Sequence, residues 1–234
     1  ILGMEKETEK FYKNFCKNTQ SKSGMWEQRF YTDGRLAPCW GYQIDETASV
    51  VYGVYDHYER TKNEKFLKDT VKMCEKAVHF LQKYIAEVMD IKEEKDIVKK
   101  ELDELYKDRV EKIPVSYDLW EMHEGVSLYS IASIFAAYQA MLKIYEVIGI
   151  DKDNLNNRLK QESIERNKEI INNQLQVMKK YVMKNLYDEH TKTFVRNTED
   201  QKMDISMLGA VTPFKMFSPK EKNILNTVEK INLT

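Results

Sequence analysis

Along most of the chain, apolar positions recur every three or four residues, a spacing that predicts helices. Residues 4–17 carry a short amphipathic pattern, which stops at the polar stretch NTQSKSG. A second pattern begins at Glu46 and ends near Lys62, with Val50, Val51, Val54, Tyr55 and Tyr58 on one face and Asp45 or Thr47 available as a cap. Asn63 can cap the next helix, in which Leu67, Val71, Cys74, Val78, Leu81, Ile85 and Val88 form one long stripe. Residues 92–112 are densely charged, with mixed signs at helical spacing, and read as a solvated helical insert that Pro114 stops. The segment VSLYSIASIFAAYQAMLKIYEVIGI is apolar on nearly every side, which predicts an inner helix closely surrounded by others. Asp151 or Asp153 is placed to cap a further long helix running to about Lys184. LYDEHTKTFVRN predicts a turn with short extended pieces, and a short helix is expected from Pro219.

One-faced helices thus alternate with a nearly all-apolar one. That alternation suits a solenoid or a closed double ring, and the lack of a sequence period between about 20 and 50 residues favours the ring: an all-α fold of the (α/α)6 toroid type. At 234 residues one domain spanning 1–234 is expected, and the scarcity of Gly (8) and Pro (4) marks it as ordered. With 37 basic and 38 acidic residues interspersed, nothing electrostatic suggests nucleic acid or an anionic membrane as partner. No segment is read as approaching the roughly 20 consecutive apolar residues of a membrane span, and ILGMEKETEK lacks a signal-peptide pattern. Cys16, Cys39 and Cys74 are widely spaced without CxxC, which points to reduced, mostly buried thiols rather than disulfides or zinc. A cytoplasmic protein without metal or cofactor is the expectation. Gly-rich phosphate loops, GxSxG and HExxH do not occur in the sequence.

Two loops break the helical pattern with unusual chemistry. PCWGYQIDE, residues 38–46, combines Trp, Tyr, Gln and paired carboxylates before a helix; SYDLWEMHEGVSLYS, residues 116–130, places Trp120 and Glu121 before the inner helix. For the second loop the structural alternative is that Asp118 caps the following helix, Trp120 plugs the core and Glu121 points into water. For Asp45 and Glu46 the alternatives are pocket lining or stabilisation of a helix start. If both loops open at one end of a ring they make an aromatic, acid-lined pocket. Such a pocket suits sugars, whose C–H faces stack on rings while hydroxyls bond to carboxylates and amides. A carboxyl beside Trp120 in a partly dry pocket would hold its proton towards neutrality and serve as a general acid, which makes Glu121 the candidate. His57 and His79 read as solvated or core-edge residues, whereas His123 stands next to the acid.

WGYQIDETA, DLWE and MDISMLGAVTPF, in that order, are similar to motifs of glycoside hydrolase family 15, the glucoamylase and glucodextranase family, over roughly residues 24–234 with 92–112 as a variable insert. The resemblance implies an (α/α)6 barrel, incomplete in this chain, and inverting cleavage of α-glucosidic bonds from non-reducing ends. It implies Glu121 as general acid, Leu119 and Trp120 as lining of the sugar subsite, and Trp40 as the tryptophan stacking on substrate. Asp45, Glu46 and Glu124 are second-rank substrate-binding candidates. Inverting enzymes hold two carboxyls about 6.5–9.5 Å apart. The resemblance places the base, and an Arg-Asp pair gripping the terminal glucose, outside these residues. Met122 stands where the family commonly has a second Glu. The expected partner is a starch-like oligosaccharide or polysaccharide, with self-association or completion by segments of a longer parent chain. Trehalase or glucodextranase specificity, and a non-catalytic glucan-binding or regulatory domain, are the alternatives.

Overall fold

A computed structural model describes residues 3–39, 42–91, 116–149 and 155–233. The insert 92–112, Pro114, Trp40 and the capping candidates Asp151 and Asp153 lie outside the described residues. The first helical pattern forms α1 (Glu5–Lys10), a π-helical stretch (Phe11–Cys16) and α2 (Lys17–Thr19). There follow α3 (Ile44–Thr61), α4 (Glu64–Val88), α5 (Leu128–Ile148) and α6 (Leu155–Asn185). A hairpin of β1 (Tyr187–Asp188) and β2 (Thr193–Phe194), paired antiparallel as Tyr187 with Phe194 and Asp188 with Thr193, a 3-10 helix (Ile205–Ala210) and α7 (Lys222–Ile231) complete the order. The fold is all-α, as the spacing predicts.

Local chemistry sets the helix ends. Lys62 takes a left-handed conformation (φ 52°) that closes α3, and the Asn63 side chain accepts from Phe66 N at 3.2 Å to start α4, the cap expected of it. Neither Asp45 nor Thr47 caps α3. The helix starts earlier, at Ile44, because the Ile44 N–H is met at 3.1 Å by Ser116 Oγ from the other loop, while Thr47 Oγ1 accepts from Trp26 N at 3.1 Å. The last helix starts at Lys222 rather than Pro219, since Glu221 turns back to accept from Ser218 N at 2.7 Å.

Helix α5 is the centre of the packing, against α3, α4, α6 and the 3-10 helix. Leu128, Ile131, Ile134, Tyr138, Met141 and Ile144 are wholly or almost wholly buried, and Ala132, Ser133 and Ala137 keep its other faces thin enough for close approach. By length and composition α5 could cross a membrane, which the sequence reading did not anticipate; 67% of its most apolar window is buried within the protein. Buried amides tie α6 on: Gln82 Nε2 donates to Asn167 Oδ1 at 2.8 Å, and Tyr138 OH donates to Gln174 Oε1 at 2.5 Å. Cys16 and Cys74 are buried and Cys39 is exposed, all three as free thiols. His57 is buried against Phe66, and burial lowers the His79 pKa.

Candidate active site

The N-terminal ends of α3 and α5 lie side by side, and three loops meet there. Tyr117 N donates to Tyr42 O at 2.7 Å and Gln43 Nε2 to Asp118 O at 2.7 Å, joining the two aromatic loops. Leu128 N donates to Arg196 O at 2.9 Å and Thr198 N to Val126 O at 3.1 Å, which brings in residues 196–204. Gly125 makes that junction possible: at φ +128° it has no Cβ, and one built there would fall 2.4 Å from Asn197 Oδ1. Ser127, not Asp118, caps α5 through Ser130 N at 3.1 Å. Asp118 organises its own turn instead. Its carbonyl accepts from Glu121 N at 3.0 Å, and its Oδ1 accepts from Met122 N at 2.8 Å and His123 N at 3.2 Å.

This turn sets Glu121 at φ 58°, a left-handed conformation that costs a non-glycine residue roughly 1 kcal/mol. The Glu121 carboxylate accepts two bonds from Arg29 Nη2, at 2.6 and 2.8 Å. Arg29 comes from the aromatic loop between α2 and α3 and was not among the residues singled out in the sequence, although EQRFYTDG places a base among aromatics there. The Glu121 side chain is 26% exposed. Trp120 does not seal it from water: the indole is 48% exposed, and its Nε1–H donates to Asp204 Oδ1 at 2.9 Å.

The drier carboxyls belong to α3. Asp45 is buried and accepts from Ser130 Oγ at 3.2 Å, and burial pushes its pKa up to about 6. Burial, with the charges of Asp45 and Glu121 added, pushes Glu46 up to about 8, against a smaller opposing effect of Arg29. Glu46 Oε2 and Asp118 Oδ2 are buried without a hydrogen-bond partner among the described residues. Burial and the neighbouring negative charges therefore favour the protonated form of Glu46. Leu119 is half-buried in the same turn, whereas Met122, 69% exposed, and Glu124 point outwards; Glu124 accepts from the Tyr117 hydroxyl.

Sequence reasoning also missed the group that holds Trp120. Asp204 accepts from both Trp120 Nε1 and Ser206 N, the latter at 2.6 Å. Burial opposes its charge, but those bonds and Arg196, 3.5 Å away, bring its pKa below the ordinary value. Arg196 also bonds Asp200 and lies 2.6 Å from His123 Nε2, so His123 sits in this network rather than on Glu121. The signal for Asp204 is its place in MDISMLG, a motif noted as a whole but not by residue. Among the described residues no group of His, Cys, Asp and Glu is arranged to hold a metal. A cleft of about 890 Å³ runs along the C-terminal half of α3, lined by Glu9, Tyr12, His57 and Arg60 among others, and contains none of the expected site residues.

Residues 8–233 match the family described as Glycosyl hydrolases family 15. The chain belongs to this family. Family 15 carries the (α/α)6 fold, which agrees with the all-α packing. An uncharacterised glycosyl hydrolase of Methanocaldococcus jannaschii is 22% identical to this chain over 235 residues. The match covers 99% of the chain but 31% of that relative, so the chain spans about a third of its length. Among the family-15 site candidates, the structure brings Glu121, Trp120, Leu119, Asp45 and Glu46 to one end of α3 and α5, with Glu124 at the rim.

Proposed function

We propose that this chain carries the general acid of a glycoside hydrolase that releases glucose from α-glucosidic linkages of starch-like oligosaccharides by inversion, with Glu121 as the proton donor. The observation that carries the reading is Glu121 itself. Its backbone is held at positive φ by the Asp118 turn, and its carboxylate is gripped by an arginine from a different loop. A non-glycine residue persists in that conformation where surrounding contacts over-determine it, as they do at functional sites. Trp120 and Leu119 on the same turn offer a sugar face, with Asp45 and Glu46 behind, while Glu124 lies further out. A second carboxylate, which the resemblance places outside these 234 residues, activates water. Both Glu121 oxygens accept from Arg29 in this conformation, and each keeps a further lone pair on which a proton for the leaving group can sit.

In the intact protein Glu121→Gln should reduce turnover on maltooligosaccharides by about 10²–10⁴-fold, the range of a lost general acid. Proton NMR of the first-formed sugar should show the anomer opposite to the bond cleaved. Unchanged turnover in the variant refutes the assignment. A second reading, a non-catalytic glucan-binding domain, is favoured by that double occupation of Glu121 and by Met122 replacing a carboxylate. Maltooligosaccharide binding by calorimetry without hydrolysis by the intact protein would select it.

A further inference from the structure

Three titratable groups share the end of α3: Glu121, Arg29 and Glu46. The stretch that carries Arg29 is laced to the first turn of α3. Trp26 N donates to Thr47 Oγ1 at 3.1 Å, and Gln28 Nε2 donates to Gln43 Oε1 at 2.8 Å. Residues 26–29 therefore run beside residues 43–47, with Glu46 between the two anchored positions. The Arg29 side chain is 45% exposed and its reach is not enclosed, so the guanidinium can turn while its backbone stays fixed. Glu46 offers an acceptor on the α3 side, since Oε2 is buried without a partner among the described residues.

We propose that Arg29 is a positioning residue that exchanges between two carboxylates, pairing with Glu121 in the resting site and with Glu46 when Glu121 holds the proton it donates. The inference rests on the reading of Glu121 as proton donor. In the resting arrangement Arg29 is paired with ionised Glu121 and Glu46 is protonated. In the armed arrangement Arg29 is paired with ionised Glu46 and Glu121 is protonated. One proton leaves Glu46 and one is taken up by Glu121, so the three groups keep the same net charge and proton count.

One ion pair is replaced by another, so the guanidinium is what offsets the burial and the Asp45 charge that oppose an ionised Glu46. Burial is the main cause of the raised pKa of Glu46. Asp45, Glu121 and Glu27 all repel its charged form, and Arg29, engaged elsewhere, offsets them only in part. A lysine at position 29 would keep the charge but present it on a shorter side chain without the planar, multi-donor guanidinium.

Carboxyl carbon NMR of the intact protein, labelled at glutamate and assigned with Glu46→Gln, tests this without hydrolysis. In wild type Glu46 should titrate in the neutral to slightly alkaline range. In Glu121→Gln, Arg29 turns to Glu46 and the midpoint falls. Adding Arg29→Gln to that variant should raise it again by about one pH unit or more beyond what Arg29→Gln does alone. Arg29→Lys in the Glu121→Gln background should give an intermediate midpoint. An equal effect of Arg29→Gln in both backgrounds overturns the exchange. If Glu121→Gln leaves hydrolysis intact while the midpoints behave as stated, the acid assignment fails and the exchange stands.

Discussion

Replacing Glu46 by Gln should leave stability nearly unchanged in acid and raise it in alkali. The physical case starts from a carboxyl moved from its ordinary 4.5 to about 8 by burial and by Asp45 and Glu121. A folded-state pKa above the unfolded one means that the folded protein binds a proton the unfolded chain lacks between those values. Stability from this group is therefore full below pH about 4.5, falls as pH rises towards 8, and is flat beyond. Each pH unit of displacement is worth about 1.4 kcal/mol, which would give roughly 5 kcal/mol for a dry site. Glu46 is only partly buried, and solvent screening reduces this to about 2–3 kcal/mol. Gln is isosteric with the protonated acid and cannot ionise, so the variant escapes that loss.

Urea unfolding followed by circular dichroism at pH 5, 7 and 9, at constant ionic strength, measures it. Glu46→Gln should lie within about 0.5 kcal/mol of wild type at pH 5 and exceed it by about 2–3 kcal/mol at pH 9. The downward slope from Asp45, whose pKa is pushed up to about 6, should remain in both proteins at lower pH. An equal difference at pH 5 and pH 9 would show that Glu46 is ionised throughout, and would remove the basis for treating it as the neutral partner of Glu121.

Gly125→Ala should destabilise by about 2–3 kcal/mol, because its Cβ would meet Asn197 Oδ1 at 2.4 Å in a backbone conformation that side chains rarely adopt; an unchanged thermal midpoint would contradict the loop junction described. Asp204→Ala should raise KM for maltooligosaccharides about tenfold with a smaller effect on kcat, by freeing the Trp120 indole, and Asp204→Asn, which keeps an acceptor, should restore much of it. An unchanged KM in the alanine variant would take Trp120 out of the sugar site.

The helices were legible in the sequence because burial is periodic. Most of the stripe from Leu67 to Ile85 and most of the apolar positions from Leu128 to Ile144 lie in the core as their spacing requires. Starts governed by local side chains were legible too, as at Asn63. Starts governed by distant partners were not: Ile44 begins α3 because Ser116, 72 positions on, satisfies its N–H. The same division runs through the site. Glu121 and Trp120 stand out in DLWE, but Arg29 is 92 residues from Glu121 and Asp204 is 84 from Trp120, so no short motif contains either pair.

That division changes the electrostatic argument more than the list of residues. Adjacency in sequence suggests that Trp120 keeps Glu121 dry, yet a left-handed Glu121 turns its carboxylate to Arg29 while the indole is bonded to Asp204. Desolvation acts instead on Glu46 and Asp45, which enter the site from the first turn of the inner-packed helix α3. One carboxyl raised by burial and another gripped by Arg29 thus stand in different environments at the same end of α3. Under the proposed exchange, Glu121, beside the exposed Trp120, acquires the proton that Glu46 gives up. A hydrolase built this way should lose activity when either carboxyl or Arg29 is neutralised. Glu46→Gln would then reduce kcat while stabilising the fold in alkali, opposite signs that a purely structural role for Glu46 does not produce.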